Sequence, residues 1–152
     1  MKPLKPDTGS ATVDAVLHAA HRVRQAADAE LRTLGLSLSS YKALRALEIE
    51  PCSMRALSEA LWVAPRTVTD IIDGLEKRGL VERGTHPQDR RVTLLRITGA
   101  GSVQLRSARL AVERVHRASV AALTEADQKT LVALLERIGL ARSAGAASIA
   151  AG

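Results

Sequence analysis

The stretch SMRALSEALWVAPRTVTDIIDGLEKRGLVERGTHPQDRRVTLLRIT, residues 53–98, decides the fold. It reads as two short helices, then two strands joined by a basic, turn-rich loop. Ser53 is placed to cap a helix over 54–61 that buries Met54, Leu57 and Leu61. After the turn Trp62-Val63-Ala64, Pro65 takes the first position of a second helix, where a missing N–H costs nothing. Val68, Ile71, Ile72 and Leu75 recur at helical spacing as its inner face, and Gly79 stops it just after Arg78. Strands are predicted over 80–83 and 92–98. The second sets Val92, Leu94, Arg96 and Thr98 on one face against Thr93, Leu95 and Ile97 on the other. Gly84, Pro87 and Asp89 in the connection make the pair a hairpin.

Outward from this unit the chain is helical. Residues 1–11, with Pro3, Pro6 and Gly9 and few large apolar side chains, read as a disordered arm. From Thr12, Val13, Val16, Leu17, Ala20, Val23, Ala27, Leu31 and Leu34 follow one face of a long helix that ends at Gly35. A second helix capped by Ser39 runs to Leu47, and Pro51 punctuates. Beyond the hairpin, a fifth helix extends from Gly99 to about Ala122, with Val103, Leu110, Val115 and the alanines on its apolar stripe. Thr124 and Asp127 resemble a capping box opening a sixth helix that carries Leu131, Leu134, Leu135 and Ile138. Residues 143–152 are rich in Ala, Gly and Ser and read as a flexible tail.

Composition narrows the function. Lys and Arg number 22 against 16 Asp and Glu, a formal charge of +6, which favours an anionic partner such as nucleic acid. With one Trp, one Tyr and no Phe, the chain lacks the aromatic platforms on which RNA and single-strand binders stack bases. A single cysteine, Cys52, makes no internal disulfide, and no run of about 18 apolar residues marks a membrane span. The expected location is the cytoplasm. No Gly-rich phosphate loop, nucleophile elbow or Cys-x-x-Cys is present, so an enzyme is not expected and no cofactor is called for.

Helix, short turn, helix and hairpin together form a winged helix-turn-helix, whose second helix enters the DNA major groove while the first braces it. The expected fold is mainly α: a DNA-binding lobe over 36–98 with a small β-hairpin wing, and helical segments 12–35 and 99–142. Arg66, Thr67, Thr69, Asp70, Asp73 and Lys77 face away from the apolar side of the reading helix. An Arg near its start can reach a guanine in bidentate fashion, and the free N–H groups beside Pro65 attract phosphate. Asp70 and Asp73 accept from a cytosine amine, or pair with Arg66 or Lys77. Ser53 belongs to the same DNA-binding set. At the hairpin tip, Asp89, Arg90 and Arg91 suit the electronegative minor groove, with Asp89 orienting Arg91 through a fork-like hydrogen bond.

On these residues the chain resembles the MarR (multiple antibiotic resistance regulator) family. The resemblance rests on Val63-Ala64-Pro65-Arg66-Thr67-Val68-Thr69, on Leu75-Glu76-Lys77-Arg78-Gly79-Leu80-Val81-Glu82-Arg83, and on Asp89-Arg90-Arg91 followed by Ile97-Thr98 and Gly101. It is close over 36–101 and one of pattern beyond. Two departures stand out: Ala64 where a capping Ser is frequent, and Trp62 where a small turn residue is common. The indole either packs on the first helix or presents an edge near DNA or a ligand.

The resemblance implies a dimerisation region built from the first, fifth and sixth helices of two subunits, and hence a homodimer on a palindromic operator. It also implies a repressor released by a small lipophilic or phenolic ligand held between that region and the DNA-binding lobe. Candidate lining residues are His18, His21, Arg22, Tyr41, Arg45 and Arg114. His18 and His21 share a helix face, but no Cys/Asp/Glu cluster accompanies them and no metal site is assigned. Cys52 lies beside a helix N-terminus that could lower its pKa, or is a buried, inert thiol. The alternative function is an architectural DNA binder that senses nothing.

Overall fold

The computed structural model describes residues 8–85 and 92–146. Six helices and three strands follow in the order α1 (Thr8–Thr33), α2 (Leu38–Ile49), β1 (Cys52–Ser53), α3 (Met54–Leu61), α4 (Pro65–Lys77), β2 (Val81–Thr85), β3 (Thr93–Ile97), α5 (Gly99–Ser119) and α6 (Glu125–Ala146). The strands form one antiparallel sheet in the order β1-β3-β2, with Cys52 opposite Leu95 and Val81 opposite Ile97. The mainly helical fold with a hairpin wing agrees with the expectation from sequence. β1 escaped it, because two residues carry no alternation to detect.

Several boundaries move for local reasons. α1 starts at Thr8, ahead of the expected cap at Thr12, so residues 8–11 are helix rather than arm; residues 1–7 lie outside the described residues. The cap of α2 is Ser37, not Ser39: its Oγ accepts from the Ser40 N–H at 3.0 Å. α5 ends at Ser119, short of Ala122. α6 continues to Ala146, into the expected tail, and residues 147–152 are outside the described residues.

The chain divides into two units, Met1–His116 and Arg117–Gly152. In the first, Leu31, Leu44, Leu47, Leu57, Val68, Ile72, Leu75, Leu95 and Leu105 form a fully enclosed core. Leu31 comes from the last turns of α1 and Leu105 from α5, so the lobe is closed by both flanking helices. The buried side of α5 is Leu105, Ala108 and Val112, whereas Val103 and Leu110 stand exposed on another face. Ala108 and Ala111, among the alanines expected on the stripe, are buried and let α5 approach closely. In α1, Val13 and Leu17 are 51% and 61% exposed. In the second unit, Thr124 and Asp127 cap α6 reciprocally: Asp127 N–H donates to Thr124 Oγ1 at 3.2 Å, and the Asp127 carboxylate accepts from the Thr124 N–H at 3.1 Å. Leu131, Val132, Leu134, Leu135 and Ile138 of α6 are exposed.

Candidate nucleic-acid interface

α3 begins where Ser53 Oγ accepts from the Ala56 N–H at 3.2 Å, so this side chain is a helix cap. The turn into α4 is fixed from inside: buried Ser58 donates its hydroxyl to the Val63 carbonyl at 2.7 Å. Trp62 closes α3 with φ 56°, ψ 45°, the left-handed conformation, and is 93% exposed. The expectation that it packs on the first helix is not met. A left-handed conformation costs an L side chain roughly 1–2 kcal/mol and costs glycine nothing. Trp62→Gly is therefore expected to stabilise the fold by about 0.5–1 kcal/mol, after allowing for the greater unfolded-state freedom of glycine. Denaturant midpoints check this; a lowered midpoint would show that the indole makes stabilising contacts.

α4 starts with Pro65 and has no side-chain cap, since Ala64 offers no acceptor. Val68, Ile72 and Leu75 bury its inner face. Arg66, Thr67, Thr69, Asp70 and Lys77 stand exposed on the other. Thr69 Oγ1 returns to the Pro65 carbonyl at 3.2 Å.

Asp73 departs from the expected pairing with Arg66 or Lys77. Its carboxylate receives Arg83 Nη2 at 2.6 Å, and the other arm of the same guanidinium binds Glu76. The hydrogen bond to Asp73 leads the causes that raise the Arg83 pKa still further above its ordinary value. Arg83 thus ties β2, the first strand of the wing, to the flank of α4, and Asp73 serves that tie. The motif containing Arg83 was visible in sequence, but its partners lie across the helix-to-strand turn, beyond the reach of helical spacing. Asp89, Arg90 and Arg91 lie outside the described residues.

A cleft of about 270 Å³ opens among α1, α2 and α5. Val23, Ala27, Leu38 and Val112 supply its apolar wall, and Arg24, Lys42, Arg45, Tyr41 and His116 its polar one. Arg45 lies over the Tyr41 ring, 5.8 Å from its centroid, a cation–π contact. Of the expected lining residues, Tyr41 and Arg45 are here. His21 lines a neighbouring cleft of about 380 Å³ with Arg24, Asp28 and Ser37. His18 and Arg22 are exposed on α1 and line neither cleft, and Arg114 pairs with Glu30 at 3.5 Å. His116, exposed on α5, joins the first cleft because it lies one turn beyond Val112. Among the described residues no group of three or more His, Cys, Asp or Glu is placed to hold a metal ion.

Cys52 is half-buried in β1. Burial, and then the charge of Glu50, push its thiol up from the ordinary range, opposite to the helix-terminus effect. At neutral pH it is expected to react with DTNB more slowly than glutathione does. Faster reaction would contradict this placement.

Comparison with known proteins settles the lineage. The MarR family model matches residues 36–93. A Thauera aromatica protein, whose name reads "Putative transcriptional regulatory protein for hcr operon", is 33% identical over 116 residues, covering 76% of this chain and 70% of its own. The chain belongs to the MarR family. It is a winged-helix transcription regulator rather than an enzyme. Among solved structures, a transcriptional regulator from Pseudomonas aeruginosa is 28% identical with a TM-score of 0.69, covering 82% of this chain and 93% of that one. A mutant of MarR from E. coli, complexed with operator DNA, has a TM-score of 0.72 at 22% identity, covering 83% and 91%, and so shares the MarR fold. No helix among the described residues is long and apolar enough to cross a membrane.

Proposed function

We propose that this MarR-family chain is a cytoplasmic, homodimeric repressor that reads a palindromic operator through α4 and leaves it when a small ligand binds. The observation that carries the reading is the division of α4 into a buried face of Val68, Ile72 and Leu75 and an exposed face bearing Arg66, Thr67, Thr69 and Asp70. A helix fixed on one side and polar on the other is what a major groove accepts. Lys77 and the wing residues Asp89, Arg90 and Arg91 add backbone and minor-groove contacts, while Ser53 and Asp73 hold the elements in place. The MarR relative from E. coli was crystallised on operator DNA, which supports the same docking here.

The exposed apolar residues of α1 and α6 support the dimer, because such faces are covered in stable assemblies. Two-fold symmetry then dictates an inverted repeat with half-sites about one helical turn apart, or a multiple of it. The cleft at Tyr41 and Arg45 is the proposed effector site. Its apolar wall and cationic rim favour a small phenolic or otherwise acidic, lipophilic ligand.

Selection of bound sites from random duplexes tests the reading. The expected product is an inverted repeat, and in Arg66→Ala one base of each half-site loses its preference, by about 1–3 kcal/mol. Recovery of unrelated sequences, or an unchanged site in Arg66→Ala, would contradict it.

A further inference from the structure

The C-terminal end of α4 is held from outside the helix. Arg78, its C-cap residue, extends to the end of α1: Nη1 donates to the Gly35 carbonyl, and Nη2 to the Leu34 carbonyl at 3.4 Å. From α5, Gln104 Nε2 donates to that same Leu34 carbonyl at 2.8 Å. Carbonyls at a helix C-terminus have no intrahelical partner, and an oxygen with two lone pairs can take two donors. Here the two donors come from different helices. Cationic Arg78 also lies at the negative end of the α1 dipole. Gly35 makes the room, with φ +70°; a Cβ there would stand 3.2 Å from Arg78 Nη2.

Two of these three helices, α1 and α5, also line the cleft. α1 contributes Val23 and Ala27 to its wall and α5 contributes Val112. Two of the three helices that an occupant of the cleft would touch are therefore joined to each other, and to the end of α4, at the Leu34 carbonyl. The N-terminal end of α4 has no side-chain cap of its own, which leaves this joint as a polar tether between α4 and the flanking helices.

We infer that the Arg78–Leu34–Gln104 junction sets the angle of α4 relative to α1 and α5, making Arg78 a positioning residue for DNA reading and not a DNA contact. The inference rests on the proposal that α4 reads DNA and that α1 and α5 belong to the dimerisation region. Hydrogen bonds are directional, so a shift of α1 against α5 alters where Arg78 finds its acceptors. Loss of the junction leaves the reading face intact but frees its angle, and with it the separation of the two reading helices in the dimer.

The test uses the full chain and the best duplex recovered by selection. Fluorescence anisotropy compares this duplex with versions in which the half-sites are moved apart by one and two base pairs, and with a single half-site. Wild-type protein is expected to discriminate against the moved half-sites. Arg78→Ala is expected to lose about 10-fold of that discrimination while its affinity for the single half-site is unchanged. Arg78→Lys, which keeps the charge but not the two-armed fork, recovers part of it. Gln104→Leu, which leaves α4 anchored to α1, shifts discrimination in the same direction and keeps the test open if Arg78→Ala fails to fold. Unchanged discrimination in these variants overturns the inference. So does a uniform loss on every duplex that tracks a fall in melting temperature, since that marks a merely structural anchor. A wild-type protein indifferent to spacing overturns the proposed dimeric reading, and this inference with it.

Discussion

Gly101→Ala is expected to lose about 3 kcal/mol of stability, near the upper end of what overpacking costs. Glycine to alanine inside a helix ordinarily stabilises, by roughly 0.5–1 kcal/mol, so the sign here is set by tertiary contact. Thr98 docks the start of α5 on the α4–β2 turn: its Oγ1 donates to the Gly79 carbonyl at 2.6 Å and accepts from the Gly101 N–H at 3.0 Å. The Thr98 N–H donates to the Leu80 carbonyl at 3.1 Å. This backbone approach leaves no room at residue 101. A Cβ there would collide with the Leu80 carbonyl oxygen and stand 2.7 Å from Ile97 Cγ1. The carbonyl is backbone and cannot swing aside, so α5 must lift from the sheet and expose Leu105 and Ala108. Gly99→Ala is the control, because a Cβ at residue 99 meets nothing within 4 Å. Denaturant melts at one protomer concentration compare the two, since a dimer's stability depends on concentration. Equal stability of both variants would show that α5 does not rest on Leu80.

Operator affinity is expected to fall by about 10³–10⁵ between 50 and 200 mM salt, if the dimer neutralises six to ten phosphates. The chain carries 22 Lys and Arg for this, and the cations proposed to meet DNA are Arg66, Lys77, Arg90 and Arg91. Arg83 and Arg78 are otherwise engaged, with Asp73 and Glu76 and with the α1 carbonyls. Arg91→Ala is thus expected to weaken binding to all duplexes and to reduce the slope of log affinity against log salt by about one for each wing in contact. Arg83→Ala is expected to disturb the wing's attachment to α4 without that direct loss of counterion release. Titrations over a salt series separate the two. An unchanged slope in Arg91→Ala would remove the wing tip from the DNA interface.

The helix-turn-helix was legible because local chemistry marks each boundary: Ser53 caps α3, Pro65 opens α4, and Gly79 ends it with φ +66°. The inner face of α4 followed from spacing alone. Contacts between elements were not legible. Asp73 was assigned to DNA or to a neighbour on its own helix, whereas its partner Arg83 comes from β2. The face that α5 buries was legible in part: Ala108 and Ala111 of the expected stripe are buried, whereas Val103 and Leu110 stand exposed and Leu105 and Val112 fill the core instead. Two of the six expected cleft residues, Tyr41 and Arg45, meet in one cleft, because α2 aims them at α1 and α5. The outward rotation of His18 and Arg22 depends on the helix crossing, which sequence spacing does not contain. Trp62 departs visibly from the family pattern, but its left-handed conformation belongs to the turn geometry that glycine normally serves.

The central claim is that α4 reads sequence. Competition at physiological salt tests it most directly: a labelled duplex carrying the selected inverted repeat is challenged with unlabelled repeat or unlabelled random duplex. The repeat is expected to compete at least ~10³-fold better than random duplex. Equal competition by the two would contradict it and would describe an architectural protein that binds the DNA backbone without reading it.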